Sequence, residues 1–93
     1  MNVANDERPI MNTNYETAKA EVIHDGRIDA ASGRGIGDVR TFKTGPRTSV
    51  TGTVVAVEFN GVKTTRTTVR AIYLLTLECG PNKVRRTVTT DRI

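Results

Sequence analysis

The sequence predicts a mainly β protein, with a five-stranded, strongly curled sheet over residues 38–93 and a short element before it. Three observations carry this. Beyond Gly37 threonine and valine dominate, and branching at Cβ suits them to a pleated surface. Val69, Ala71, Tyr73, Leu75, Leu77 and Cys79 recur at period two, which puts them on one face of a strand. Turn-forming runs at Thr44-Gly45-Pro46-Arg47, Asn60-Gly61 and Gly80-Pro81-Asn82-Lys83 divide the segment at strand-like intervals.

Residues 1–11 are polar, contain Pro9 and show no periodicity, so they are expected to be a flexible tail. Residues 12–31 support two readings. Thr13-Asn14-Tyr15-Glu16 fits a capping box, with Tyr15, Ala18 and Val22 at helical spacing and Gly26 as a stop. The rival is a hairpin pairing Lys19–His24 with Arg27–Ala31 across Asp25-Gly26. The capping box favours the helix, whose thin apolar face must dock on something to persist. Ser32–Gly37 reads as a glycine-rich linker and domain boundary.

In the β segment, Val39–Lys43 is the first strand and Ser49–Phe59 the second. Asn60-Gly61 is the strongest hairpin signal, and a two-residue loop there sets Glu58 opposite Lys63. Lys63–Thr68 would form a projecting arm or bend, Val69–Cys79 the packed third strand and Val84–Thr90 the last. Gly52 lies inside a strand, where glycine marks a sharp bend or the close approach of another backbone. Bent strands are how a small sheet closes into a barrel.

The order of a bent strand with a central glycine, a hairpin, a long strand, a Gly-rich turn and a short strand resembles the SH3-like small barrels, including Tudor-like and KOW-type domains. Thr51-Gly52-Thr53-Val54-Val55-Ala56-Val57, Tyr73-Leu74-Leu75-Thr76-Leu77-Glu78-Cys79-Gly80 and Val88-Thr89-Thr90-Asp91-Arg92-Ile93 carry the likeness. It implies a five-stranded barrel over residues 38–93 and a role in binding nucleic acid, peptides or ribosomal partners.

Charge points the same way. The net charge of +4 is uneven: residues 38–93 hold ten basic residues against four acidic ones, and residues 1–37 four against six. A positive β domain suits a polyanion. Lys63, Arg66 and Arg70 lie in a threonine-rich run, and Lys83, Arg85 and Arg86 follow the next turn. Guanidinium forks and hydroxyls donate well to phosphate oxygens. Only four aromatic residues are present, which argues for backbone-directed contact over base stacking. Val55, Val57, Phe59 and Val62, with Ile72 and Leu74, exceed what one barrel interior holds and form a candidate partner or dimer surface.

Other chemistry is weakly motivated. His24 and Cys79 are the lone histidine and cysteine, with no partners at metal-ligand spacing, so neither a metal nor another cofactor is expected. Cys79 on an apolar strand face acts as a small hydrophobe. Gly33-x-Gly35-x-Gly37 lacks the dinucleotide spacing, and no P-loop lysine follows it. One cysteine suits a reducing compartment, and no apolar run is long enough to span a bilayer, so the expected location is cytoplasmic, with no membrane partner. The leading expectation is a non-enzymatic binding module for DNA or RNA. The runner-up is a protein-interaction module, an accessory, inhibitor or assembly protein of a phage or mobile element, possible as a homo-oligomer.

Overall fold

The computed structural model describes residues 8–9 and 15–93. The expected tail over 1–11, apart from the backbone of Arg8–Pro9, and Thr13 of the capping box lie outside those residues. One helix, α1 (Tyr15–Ala31), precedes the strands β2 (Val39–Lys43), β3 (Ser49–Thr64), β4 (Thr68–Cys79) and β5 (Val84–Thr90). These four strands form an antiparallel sheet in chain order, and the two-residue strand β1 (Arg8–Pro9) adds to β4 at Thr68 and Val69. The sheet is open: among the described residues β2 and β5 do not pair, so the five-stranded barrel does not close.

The helix prevails over the hairpin at residues 12–31, and it runs on past Gly26 to Ala31. Gly26 is the point of closest approach between helix and sheet. A Cβ there would lie 2.7 Å from Cδ1 and Cε1 of Phe59 and 3.1 Å from Cβ of Ala71. Burial against the sheet outweighs the roughly 1 kcal/mol that glycine costs inside a helix. Val22, one turn earlier, is buried in the same core as Val50, Val54, Val69, Ala71, Tyr73, Leu75 and Leu77.

Ser32–Gly37 is a string of turns. The Ser32 amide donates to Ile28 O, and Gly33, Gly35 and Gly37 all take positive φ. Gly37 donates to Val54 O, and Val54 donates to Asp38 O, which carries the chain into the β2–β3 ladder.

The turn between β3 and β4 departs from expectation. Asn60-Gly61 does not close a hairpin. β3 continues through it to Thr64, and Glu58 sits opposite Leu74 while Lys63 sits opposite Arg70. Asn60 and Gly61 together face Ile72, a bulge that Gly61 permits with φ of 110°. The reason is pairing. In the observed register Val54, Val57, Phe59 and Val62 face Leu77, Leu75, Tyr73 and Ala71. Closing at Asn60-Gly61 would set Val57 against Thr64 and Val54 against Thr67. Four apolar cross-strand pairs outweigh one local turn preference.

The chain reverses at Thr65–Thr68 instead. Thr65 N donates to Thr68 O (2.8 Å), and the Thr65 hydroxyl accepts from the Thr68 amide (3.0 Å) and bonds the Thr68 hydroxyl (2.7 Å). A threonine side chain here does the work usually given to asparagine or glycine.

A second bulge, at Val55, completes the layout. Val54 pairs with Leu77 but Ala56 with Thr76, so the alternation of β3 is reversed at Val55 and restored at Asn60-Gly61. Val57, Phe59 and Val62 thereby turn to the helix side and pack partly buried against the core. The six-residue apolar surface expected from the sequence is therefore divided, with Ile72 and Leu74 on the opposite face. At the other end of the sheet, Gly52 lets β3 close on β4: its Cβ would lie 2.6 Å from Glu78 O and 2.7 Å from Cys79 Sγ.

Tyr73 is fully buried beneath the helix, and its hydroxyl has no hydrogen-bond partner among the described residues. Burial, followed by the nearby Asp29 carboxylate, raises its pKa well above the usual tyrosine value near 10. Two results are expected. Tyr73→Phe should change stability at neutral pH by less than about 1 kcal/mol, since it removes a hydroxyl that leaves nothing unpaired. Above pH 10 the unfolded tyrosine sheds a proton that the folded one retains, so stability falls as pH rises. Urea midpoints at pH 7 and pH 10.5 should show a smaller alkaline loss in the variant; an equal loss would assign the effect elsewhere.

Candidate nucleic-acid interface

The expected binding cations fall into two groups at opposite ends of β4. Lys63, Arg66 and Arg70 surround the Thr65–Thr68 reversal, with Lys63 directly opposite Arg70. Lys83, Arg85 and Arg86 occupy the β4–β5 turn and the start of β5, with Arg85 opposite Glu78. Eight strand steps separate Arg70 from Glu78 along β4, roughly 26 Å at the rise of an extended strand.

Members of each group differ in freedom. Arg70 is ion-paired with Asp91, and its guanidinium holds that carboxyl below the usual carboxylate range. Arg85 reaches Glu78 at 3.3 Å. Lys63, Arg66, Lys83 and Arg86 are exposed and make no ion pair among the described residues. At the reversal, all residues from Lys63 to Thr67 are exposed, and Thr64, Thr65 and Thr67 add hydroxyls beside the two free cations. This hairpin belongs to a molecule 50 Å long and only 18 Å thick. Between the groups Glu58 lies opposite Leu74, while Asp91 and Glu78 are paired with Arg70 and Arg85.

The first turn adds signals that the sequence suggested less strongly. Lys43 and Thr44 line a shallow recess with Phe42, Leu74 and Thr87–Thr89, where β2 and β5 draw near each other. Arg40 stacks over Phe42 at 4.8 Å and donates through Nη1 to Arg92 O at 2.7 Å, bracing the β2 edge to the chain end.

Other candidate chemistry stays dispersed. His24 is exposed on α1, 3.4 Å from Asp25 Oδ1. Cys79 packs against the core beside Gly52, at the end of β4 remote from the Gly26–Ala71 contact. No group of three or more His, Cys, Asp or Glu capable of holding a metal occurs among the described residues. No helix among them is long and apolar enough to cross a membrane. Comparison of the chain with protein-family models, curated proteins and solved structures gives no match.

Proposed function

We propose that this protein is a non-enzymatic binding module that grips nucleic-acid phosphates with the tip of its β3–β4 hairpin. One observation carries the reading: Lys63 and Arg66 project at an exposed, threonine-rich reversal without a carboxylate partner among the described residues. Lys83 and Arg86 at the far end of β4 supply a second, weaker contact. Arg70 and Arg85 are partly neutralised by Asp91 and Glu78 and act mainly to hold the strands. Glu58 between the groups, and the neutralised Arg70 and Arg85, leave no continuous positive track for a strand of nucleic acid lying flat along the sheet. We read the open sheet, with Gly52 bringing β3 close against β4, as an incompletely closed relative of the SH3-like small barrels.

Fluorescence anisotropy with labelled duplex DNA, single-stranded DNA and structured RNA tests the reading. Affinity should fall steeply between low and physiological salt. Lys63→Glu with Arg66→Glu should weaken binding at least about tenfold and lower the salt slope by about two contacts. Unchanged affinity in that variant would remove the site. No binding of any probe at low salt would remove the function.

A further inference from the structure

Helix α1 is apolar on two opposite sides, and the sheet covers only one. Tyr15, Ala18, Val22 and Ala30 pack with the sheet core, and Gly26 touches Phe59 and Ala71. On the other side Ala20, Ile23, His24, Arg27, Ile28 and Ala31 line a shallow apolar groove. Ile28 is 54% exposed there. The stripe holds no carboxylate, and the Arg27 guanidinium leans 5.9 Å over the Phe59 ring, leaving its aliphatic stem on the groove. A helix apolar on both sides is the pattern of a helix covered on both sides.

We infer that a second copy of this chain covers the groove, through an antiparallel α1–α1 contact about a two-fold axis. The order of residues selects that occupant. Read from either end the stripe is alanine, isoleucine, a polar pair, isoleucine, alanine. A two-fold axis passing between Asp25 and Gly26 therefore sets Ala20 on the partner's Ala31 and Ile23 on the partner's Ile28. Arg27 meets the partner's His24, so no two cations from arginine or lysine oppose each other. An isologous contact requires this kind of self-complementarity. Alanines at both ends let the helices approach to the 8–10 Å typical of packed pairs. The stripe spans eleven helical steps, about 16 Å. It buries less than the roughly 800 Å² per partner of a standard interface, so the dimer is weak, with a dissociation constant in the micromolar range.

Sedimentation equilibrium of the full chain from about 5 to 500 µM, a span around that affinity, should show the average mass climbing toward twice that of one chain. Ile23→Asp with Ile28→Asp should hold it at a single chain with an unchanged circular dichroism spectrum. Val84→Asp, at an exposed apolar site on β5, should leave the association intact. Because the double aspartate variant can fail to fold, Ile23→Cys with Ile28→Cys in a Cys79→Ser background gives a separate measurement. Residues five apart in a helix are about 9 Å distant, too far for a bond within one chain. Mild oxidation should therefore yield a covalent dimer. A single-chain mass for the full protein at every concentration would overturn the inference. Absence of the covalent dimer, or equal dissociation by Val84→Asp, would overturn it as well.

Discussion

Leu75→Ala should destabilise the protein by about 2–5 kcal/mol, the range for truncating a buried leucine. Leu75 is 1% exposed and lies at the middle of β4, opposite Val57 on one side and Val88 on the other. Its cavity has little freedom to collapse, because both cross-strand neighbours are fixed by backbone ladders. Domains of this size hold about 5–15 kcal/mol in total, so the loss takes a large share. Urea unfolding at neutral pH should show a midpoint lower by roughly 1–3 M with an unchanged slope. A shift below about 0.5 M would mean that the core is not centred on β4.

The second large effect is expected at Gly52. Gly52→Val places a branched side chain where even a single Cβ would sit 2.6 Å from Glu78 O. A carbonyl oxygen in a ladder cannot swing aside as a side-chain end can, so β3 and β4 must part. Overpacking costs typically about 1–3 kcal/mol, and displacing backbone puts this case at or above the upper end. Gly61→Ala is the comparison, since no atom lies within 4 Å of its site and only its positive φ opposes the change. Urea midpoints should rank wild type above Gly61→Ala and Gly61→Ala above Gly52→Val. The reverse ranking would place the tight contact at the bulge.

Gly52 was legible in the sequence because a glycine among strand formers has few uses, and close approach is one of them. β2 and β5 were legible to the residue, each bounded by a turn whose chemistry is local. The β3–β4 reversal was legible only as an arm or bend over Lys63–Thr68, with the hairpin turn itself expected at Asn60-Gly61. Asn60-Gly61 offers a strong local turn, and only the sum of apolar pairs along the whole hairpin overrides it. Thr65 and Thr68 carried the missed signal, in hydroxyls placed to close a turn. Gly26 misled for a similar reason: its value lies in the distance to Phe59, which no helix-end rule contains. For the site, the cations were visible as a cluster in the chain, but their division between two ends of β4 and the pairing of Arg70 with Asp91 required the register.

The two bulges of β3 make that strand behave like a coding message with two frame shifts. Even-numbered residues face the helix up to Val54, odd-numbered ones from Val57 to Phe59, and even-numbered ones again from Val62. Deleting Asn60 takes out the extra residue of the second shift, so Gly61 alone would face Ile72 while Val62 and Lys63 keep their partners and their faces. Deleting Glu58 instead would turn Phe59 to the open face, because Phe59 would then follow Val57 directly. Each bulge can thus absorb a one-residue gap at its own position, whereas a gap between the two redirects a packed side chain.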